Sequence, residues 1–194
     1  LQKRKVMALN LKINFNDCYE TEILKPDFSL CCFETCLKDG NTAKIGIHIS
    51  DTVHPLIPDV YNLSFGPINS NGEIDDRIKL NHQHHSRVFS TVVLAALTFL
   101  ERKQSCFLGI DGSNNARAYM YFRCIQNNYD FLTRYFRIFG VNYYARILRK
   151  ERDEDSSHPI DPEDILTLPK SIQKEITLTY EKLYNYFIFK LYQP

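Results

Sequence analysis

Four residues within one short stretch carry the plainest chemical suggestion in this chain. In GIDGSNNARAYMYFR, residues 109–123, an apolar run ends at Gly112, and Ser113, Asn114 and Arg117 follow. The glycine permits a sharp turn, and Ser113 or Asn114 can cap a helix starting there. The unpaired N–H groups of the first turn, the helix dipole and the Arg117 guanidinium would then converge on one point, which suits a phosphate or a carboxylate. Arg123 stands almost two turns further on and about 120° around the helix, so it is an outlying contact of the same candidate site. A plain strand-to-helix turn, with Arg117 pairing a carboxylate, is the structural alternative.

A second constellation comes earlier, where Asp75 and Asp76 precede Asn81-His82-Gln83-His84-His85. His84 or His85 could act as a general base, because an imidazole titrates near neutrality, with Asp75 or Asp76 orienting it. His82 and His84 would share one side of an extended chain and could join an aspartate around a divalent ion. A polar loop ending in Ser86 as a helix cap is the alternative, and no metal ion or other cofactor is assigned. Nucleotidyltransferases also place Gly-Ser before a helix, but they need a D-x-D pair to hold metal against a triphosphate. Downstream of Ser113 such a pair occurs only in Asp153-Glu154-Asp155, in a charged stretch. No G-x-x-x-x-G-K-[ST] loop is present.

The charge pattern supports an anionic partner. The chain of 194 residues has a formal net charge of +1, yet residues 98–150 hold 9 Lys/Arg against 3 Asp/Glu, and residues 151–194 hold 5 against 9. A basic block attracts phosphates and polyanions, although an acidic tail can also answer it. Aromatic and basic residues alternate in Tyr135-Phe136-Arg137 and Tyr143-Tyr144-Ala145-Arg146, a composition able to stack bases. The six cysteines form no C-x-x-C pair, and Cys31 and Cys32, adjacent in an apolar run, read as small buried apolar residues in a reducing compartment. No run reaches the ~20 apolar residues of a membrane helix. The opening LQKRKVMALN lacks the apolar core of a secretory signal. A cytoplasmic protein without membrane contact is expected.

Strands dominate the expected first half. FSLCCFETCL (28–37) and AKIGIHIS (43–50) flank an Asp-Gly-Asn turn and predict a hairpin, with Ile45, Ile47 and Ile49 on one face. Residues 60–68 predict another strand, and 73–79 a polar edge strand returning from the turn at 69–72. Residues 86–102 predict a deeply buried helix, and 106–110 a short strand. From 115 to 136 a long helix is expected. Ala118, Phe122, Ile125, Tyr129, Leu132 and Phe136 form its buried stripe, with Arg123, Asn127, Asp130, Arg134 and Arg137 opposite. A strand over 139–148 follows. A last helix is expected over 170–192, with Ile172, Ile176, Tyr180, Leu183, Phe187 and Leu191 on one side and further aromatics elsewhere.

At YNLSFG, GEIDD, Asn81, RVFSTV and GSNNARAYMYFRCI, the chain resembles a family of small uncharacterised proteins from Bacteroidota. The resemblance covers roughly residues 60–140. It implies a cytoplasmic bacterial protein, encoded near mobile or defence genes, whose Gly-Ser-x-x-x-Arg turn corresponds to Gly112, Ser113 and Arg117. This chain has His84-His85 where the family pattern has an acidic residue.

The expected fold is therefore α+β, an antiparallel sheet packed against two or three helices with a C-terminal helix. Strands precede helices, which argues against a parallel βαβ array. Residues 1–150 form one domain, 151–169 a charged linker or loop, and 170–194 a helix packing on the domain or on a partner. Three functions remain open. One is a binding or effector module for a phosphorylated small molecule, nucleotide or nucleic acid, within a defence or toxin–antitoxin system. Another is a toxin-like nuclease or transferase using His84, His85, Asp75 and Asp76. The third is a non-catalytic subunit that binds a protein partner or a second copy of itself through the C-terminal helix.

Overall fold

The computed structural model describes residues 10–112, 114–141, 169–176, 178 and 183–193. Among these residues there are eight strands in one sheet and three helices. The strands are β1 (Glu22–Ile23), β2 (Leu30–Cys36), β3 (Thr42–Val53), β4 (Val60–Pro67), β5 (Phe107–Asp111), β6 (Phe136–Val141), β7 (Lys170–Ser171) and β8 (Tyr186–Leu191). The helices are α1 (His85–Arg102), α2 (Asn115–Asn127) and α3 (Tyr129–Leu132). The sheet order is β1-β2-β3-β4-β5-β8-β6-β7. Every neighbouring pair is antiparallel except β4–β5, which α1 connects in parallel. This is an α+β fold with one parallel crossover inside a mostly antiparallel sheet.

The β2–β3 hairpin follows its sequence pattern. Phe33 pairs with Ile45 and Cys31 with Ile47, and Ile45, Ile47 and Ile49 are each 1% exposed. Gly40 turns the chain at φ +87°, while the Asp39 carboxylate accepts the Asn41 N–H. On α1, Val88, Val92, Ala96, Phe99 and Leu100 face the core. Residues 10–19 run along this helix as an extended strap. Ser86, Ser90 and Thr91 on α1 accept the backbone N–H groups of Lys12, Asn14 and Tyr19 at 2.9–3.0 Å. Ser86 therefore serves the strap rather than capping the helix; His84 occupies the cap position without a side-chain bond.

Three expectations are corrected. Where residues 170–192 are described, the expected helix gives way to the strands β7 and β8, and β8 lies between β5 and β6 in the sheet. The helical spacing of Phe187 and Leu191 was coincidental. The run Tyr186 to Phe189 is apolar and aromatic on both alternating faces, the mark of a strand covered on both sides. Tyr186 and Phe187 are fully buried, so neither offers a surface to a partner. The long helix stops at Asn127, α3 adds one turn, and the chain enters β6 at Phe136. Asn128 causes the break. Its buried side chain donates to Leu11 O and Cys124 O and accepts from Ile13 N, at 2.7–2.8 Å, exchanging helix continuity for contacts to the strap. The stripe itself is right, because Ala118, Phe122, Ile125, Leu132 and Phe136 are all buried. The edge strand expected over 73–79 is reduced to one bridge between Ile68 and Ile74. Residues 142–168, including the expected linker and Tyr143, Tyr144 and Arg146, lie outside the described residues.

Candidate functional site

The loop 74–82 positions one side of the site. It returns across β4 because Gly66 has no side chain: a Cβ there would fall 2.3 Å from the Asp75 carbonyl oxygen and 2.9 Å from the Asp76 Cα. Asp75 N donates to Pro67 O at 3.0 Å, and the Asp75 carboxylate accepts Arg77 N at 2.9 Å. The loop backbone is thus held close, with Asp76 turned toward α2. Arg117 donates from its guanidinium to the Asp76 carbonyl oxygen, which ties the start of α2 to the loop.

The turn before α2 uses its residues structurally. A Cβ on Gly112 would lie 2.7 Å from the Ala118 Cα, so the glycine permits close strand–helix packing, and its N–H donates to Asn185 O at 2.8 Å. Asn114 is the N-cap, its Oδ1 accepting Arg117 N at 3.0 Å. Ser113 lies outside the described residues.

Between these parts opens a cavity of about 360 Å³. Its walls come from β3 and β4, the loop, the start of α1, α2 from Ala116 to Arg123, and Leu11 of the strap. Lys79, Arg117 and Arg123 supply cationic groups to it, and Asp76 a carboxylate. Phe65, Phe89, Tyr119, Met120 and Tyr121 supply its apolar body. Tyr119 and Ile78 stand at the lining while 41% and 50% exposed, so apolar surface continues to solvent. Among the described residues neither Lys79 nor Arg123 has an ion-pair partner.

Of the residues singled out in the sequence, His85, Asp76, Arg117 and Arg123 meet at this cavity, whereas His84 is exposed outside its lining. Asp75, Gly112 and Asn114 support the site from behind. The histidine that joins His85 is His82, whose ring stands 5.4 Å away and nearly perpendicular. Its Nδ1 is buried with no hydrogen-bond partner among the described residues. Burial, and then the charge of His85, lowers the His82 pKa to about 4. Burial, followed by nearby Lys38, lowers that of His85. Both imidazoles are therefore neutral at pH 7, able to accept a proton or a hydrogen bond.

Asp111, the last residue of β5, also went unnoticed in the sequence. Burial raises its carboxyl to about 6, with Arg117 opposing and Asp76 adding to the rise. Burial raises the Tyr121 phenol as well. The signal for Asp111 was its place at the carboxyl end of a strand, but the crevice there requires knowing that β4 and β5 are parallel. Tyr119 and Arg123 are four residues apart on α2 and so share a face, which the helical spacing does permit one to read. Among the described residues no group of three or more His, Cys, Asp or Glu could hold a metal ion, and no helix is long and apolar enough to cross a membrane.

Residues 16–155 match the model of a family of unknown function, DUF6934. The chain belongs to that family. The DUF6934 match contains the strap's end, the loop 74–82 and both helices that wall the cavity, but not β8. No curated protein and no solved structure matches the chain.

Proposed function

We propose that the protein binds a small phosphorylated ligand, such as a mononucleotide, in the cavity between β4, the loop 74–82 and α2. The observation that carries this reading is the composition of its walls. Lys79, Arg117 and Arg123 outnumber the single carboxylate of Asp76 around an otherwise apolar and aromatic space. Such a site favours a dianion joined to a planar or apolar body. A solvent-connected pocket of about 360 Å³ has the size of a small-molecule site, whereas a nucleic-acid strand needs a long basic groove. A bacterial, cytoplasmic setting and a role in defence or in a toxin–antitoxin pair rest on the resemblance of residues 60–140 alone.

Calorimetric titration with inorganic phosphate, phenyl phosphate and the nucleoside monophosphates tests the reading. Binding of phenyl phosphate or a mononucleotide, weakened about tenfold by Arg123→Ala or Lys79→Ala, is expected. Absence of binding by the whole panel, or equal affinity in the Lys79→Ala/Arg123→Ala double variant, overturns it.

The enzymatic alternative has one specific support, since His85 and Asp76 line the same cavity as His82, with both imidazoles neutral. In this reading His85 or His82 accepts a proton from a bound nucleophile while Arg117 and Arg123 hold the phosphate. Turnover of a phosphodiester or nucleotide that survives His82→Asn and His85→Asn unchanged dismisses it.

A further inference from the structure

A second, smaller cavity lies deeper, between the sheet and the helices. It measures about 60 Å³, and its lining includes Leu63, Val92, Ala96, Leu108, Ile125 and Phe189. Phe65, Phe89 and Tyr121 line this space and the outer cavity alike, so three aromatic side chains form the partition between them. The Phe65 and Phe89 rings meet edge to face at 5.6 Å, and Phe89 and Tyr121 at 6.4 Å. Phe65 and Phe89 are only partly buried, unlike Phe99 or Phe187, while the third ring, Tyr121, is buried; the two phenylalanines are the members of the partition free to give way. Interiors rarely keep voids larger than a water molecule, and an apolar void stays dry and accepts apolar guests.

We infer that the ligand is an amphipathic phosphate monoester, whose head meets Lys79, Arg117 and Arg123 and whose aliphatic tail passes the Phe65–Phe89–Tyr121 partition into the inner cavity. This rests on the phosphate-binding reading above and adds the class of the tail. The two cavities lie in series, the outer one charged and the inner one wholly apolar in its surroundings. A ligand spanning both must therefore be charged at one end and greasy at the other. A dianionic head fits best, because Lys79, Arg117 and Arg123 line the outer cavity and Asp76 is the one carboxylate among its lining residues.

Titration of the full chain with ethyl, butyl, hexyl and octyl phosphate tests the inference. Each methylene that reaches the inner space should tighten binding about fourfold, so octyl phosphate should bind at least tenfold more tightly than butyl phosphate. Ala96→Leu fills the inner cavity without touching the outer one; it should abolish this gain and leave butyl phosphate unchanged. Octanoate should bind about tenfold more weakly than octyl phosphate. Affinity that is flat beyond butyl, or a gain that survives Ala96→Leu, overturns the inference while binding of the short esters keeps the phosphate site intact. Equal binding of octanoate overturns the phosphate head. Binding by none of the esters overturns both readings. Xenon-dependent shifts of the Ala96 and Leu108 methyl resonances report the inner cavity independently of any variant, and their absence counts against it.

Discussion

Replacing Gly66 by alanine perturbs the close approach by which the loop 74–82 crosses β4. The added methyl would fall 2.3 Å from the Asp75 carbonyl oxygen, 2.7 Å from its carbonyl carbon and 2.9 Å from the Asp76 Cα. All three are backbone atoms, so no side-chain rotation relieves the overlap. The loop must retreat by about 1 Å to reach ordinary contact distance. Overpacking of this kind costs about 1–3 kcal/mol. The retreat also pulls the Asp76 carbonyl from the Arg117 guanidinium, and a hydrogen bond to a charged group is worth about 1.5 kcal/mol or more. A total of about 2–4 kcal/mol corresponds to a melting temperature lower by about 4–15 °C for a domain of this size. Gly40→Ala is the control. No atom lies within 4 Å of a Cβ there, but φ is +87°, so it should cost about 1 kcal/mol through backbone strain alone. Circular dichroism melts give the stabilities, and amide shifts of residues 74–79 and 117 report the loop. A Gly66→Ala variant that melts within about 1 °C of the parent, with those amides unmoved, refutes the account of the loop.

Other outcomes follow from the same geometry. Asn128→Ala removes three buried hydrogen bonds, leaves Ile13 N and Leu11 O without their partner, and should cost about 2–4 kcal/mol; urea unfolding measures it, and faster amide exchange confined to residues 11–14 would be its local signature. Phe187→Ala, in the fully buried centre of β8, should cost about 3–5 kcal/mol, whereas a residue on a detachable C-terminal helix would cost far less. His82 has a folded pKa of about 4, below its ordinary 6.5, so protons prefer the unfolded chain and stability falls as pH drops from 6.5 toward 4. The partly exposed ring limits this to about 1–2 kcal/mol, and His82→Asn should flatten the acid side of a melting-temperature profile. Asp111 behaves oppositely: its folded pKa of about 6 lies above 3.8, so its contribution is fully present below 3.8 and is lost as pH rises through 6. Asp111→Asn should therefore stabilise the protein at pH 7 by about 1–2 kcal/mol, but not at pH 4, and a gap that does not open between those pH values counts against the burial of that carboxyl.

Local pattern determined much of this protein. Strict alternation in residues 43–50 specified β3, the turn at Gly40 specified its hairpin, and three- and four-residue steps specified the buried stripe from Ala118 to Phe136 whether or not one helix carries it. These signals are local because a side chain's face depends only on the period of its own backbone. The site residues Asp76, His85, Arg117 and Arg123 were legible by type, and His85 and Arg117 also by their place at helix starts. Their meeting at one cavity was not, since it depends on the loop 74–82 crossing Gly66 and on α1 and α2 both contributing to its lining. The C-terminal strand was misread for a related reason. Phe187 and Leu191 satisfy a helical period as well as a strand's, and pairing with β5 on one side and β6 on the other selects the strand. His82 and Asp111 likewise acquire their shifted protonation from walls supplied by distant segments. Burial is a property of what the rest of the chain places in front of a residue, and no window of neighbouring sequence contains it.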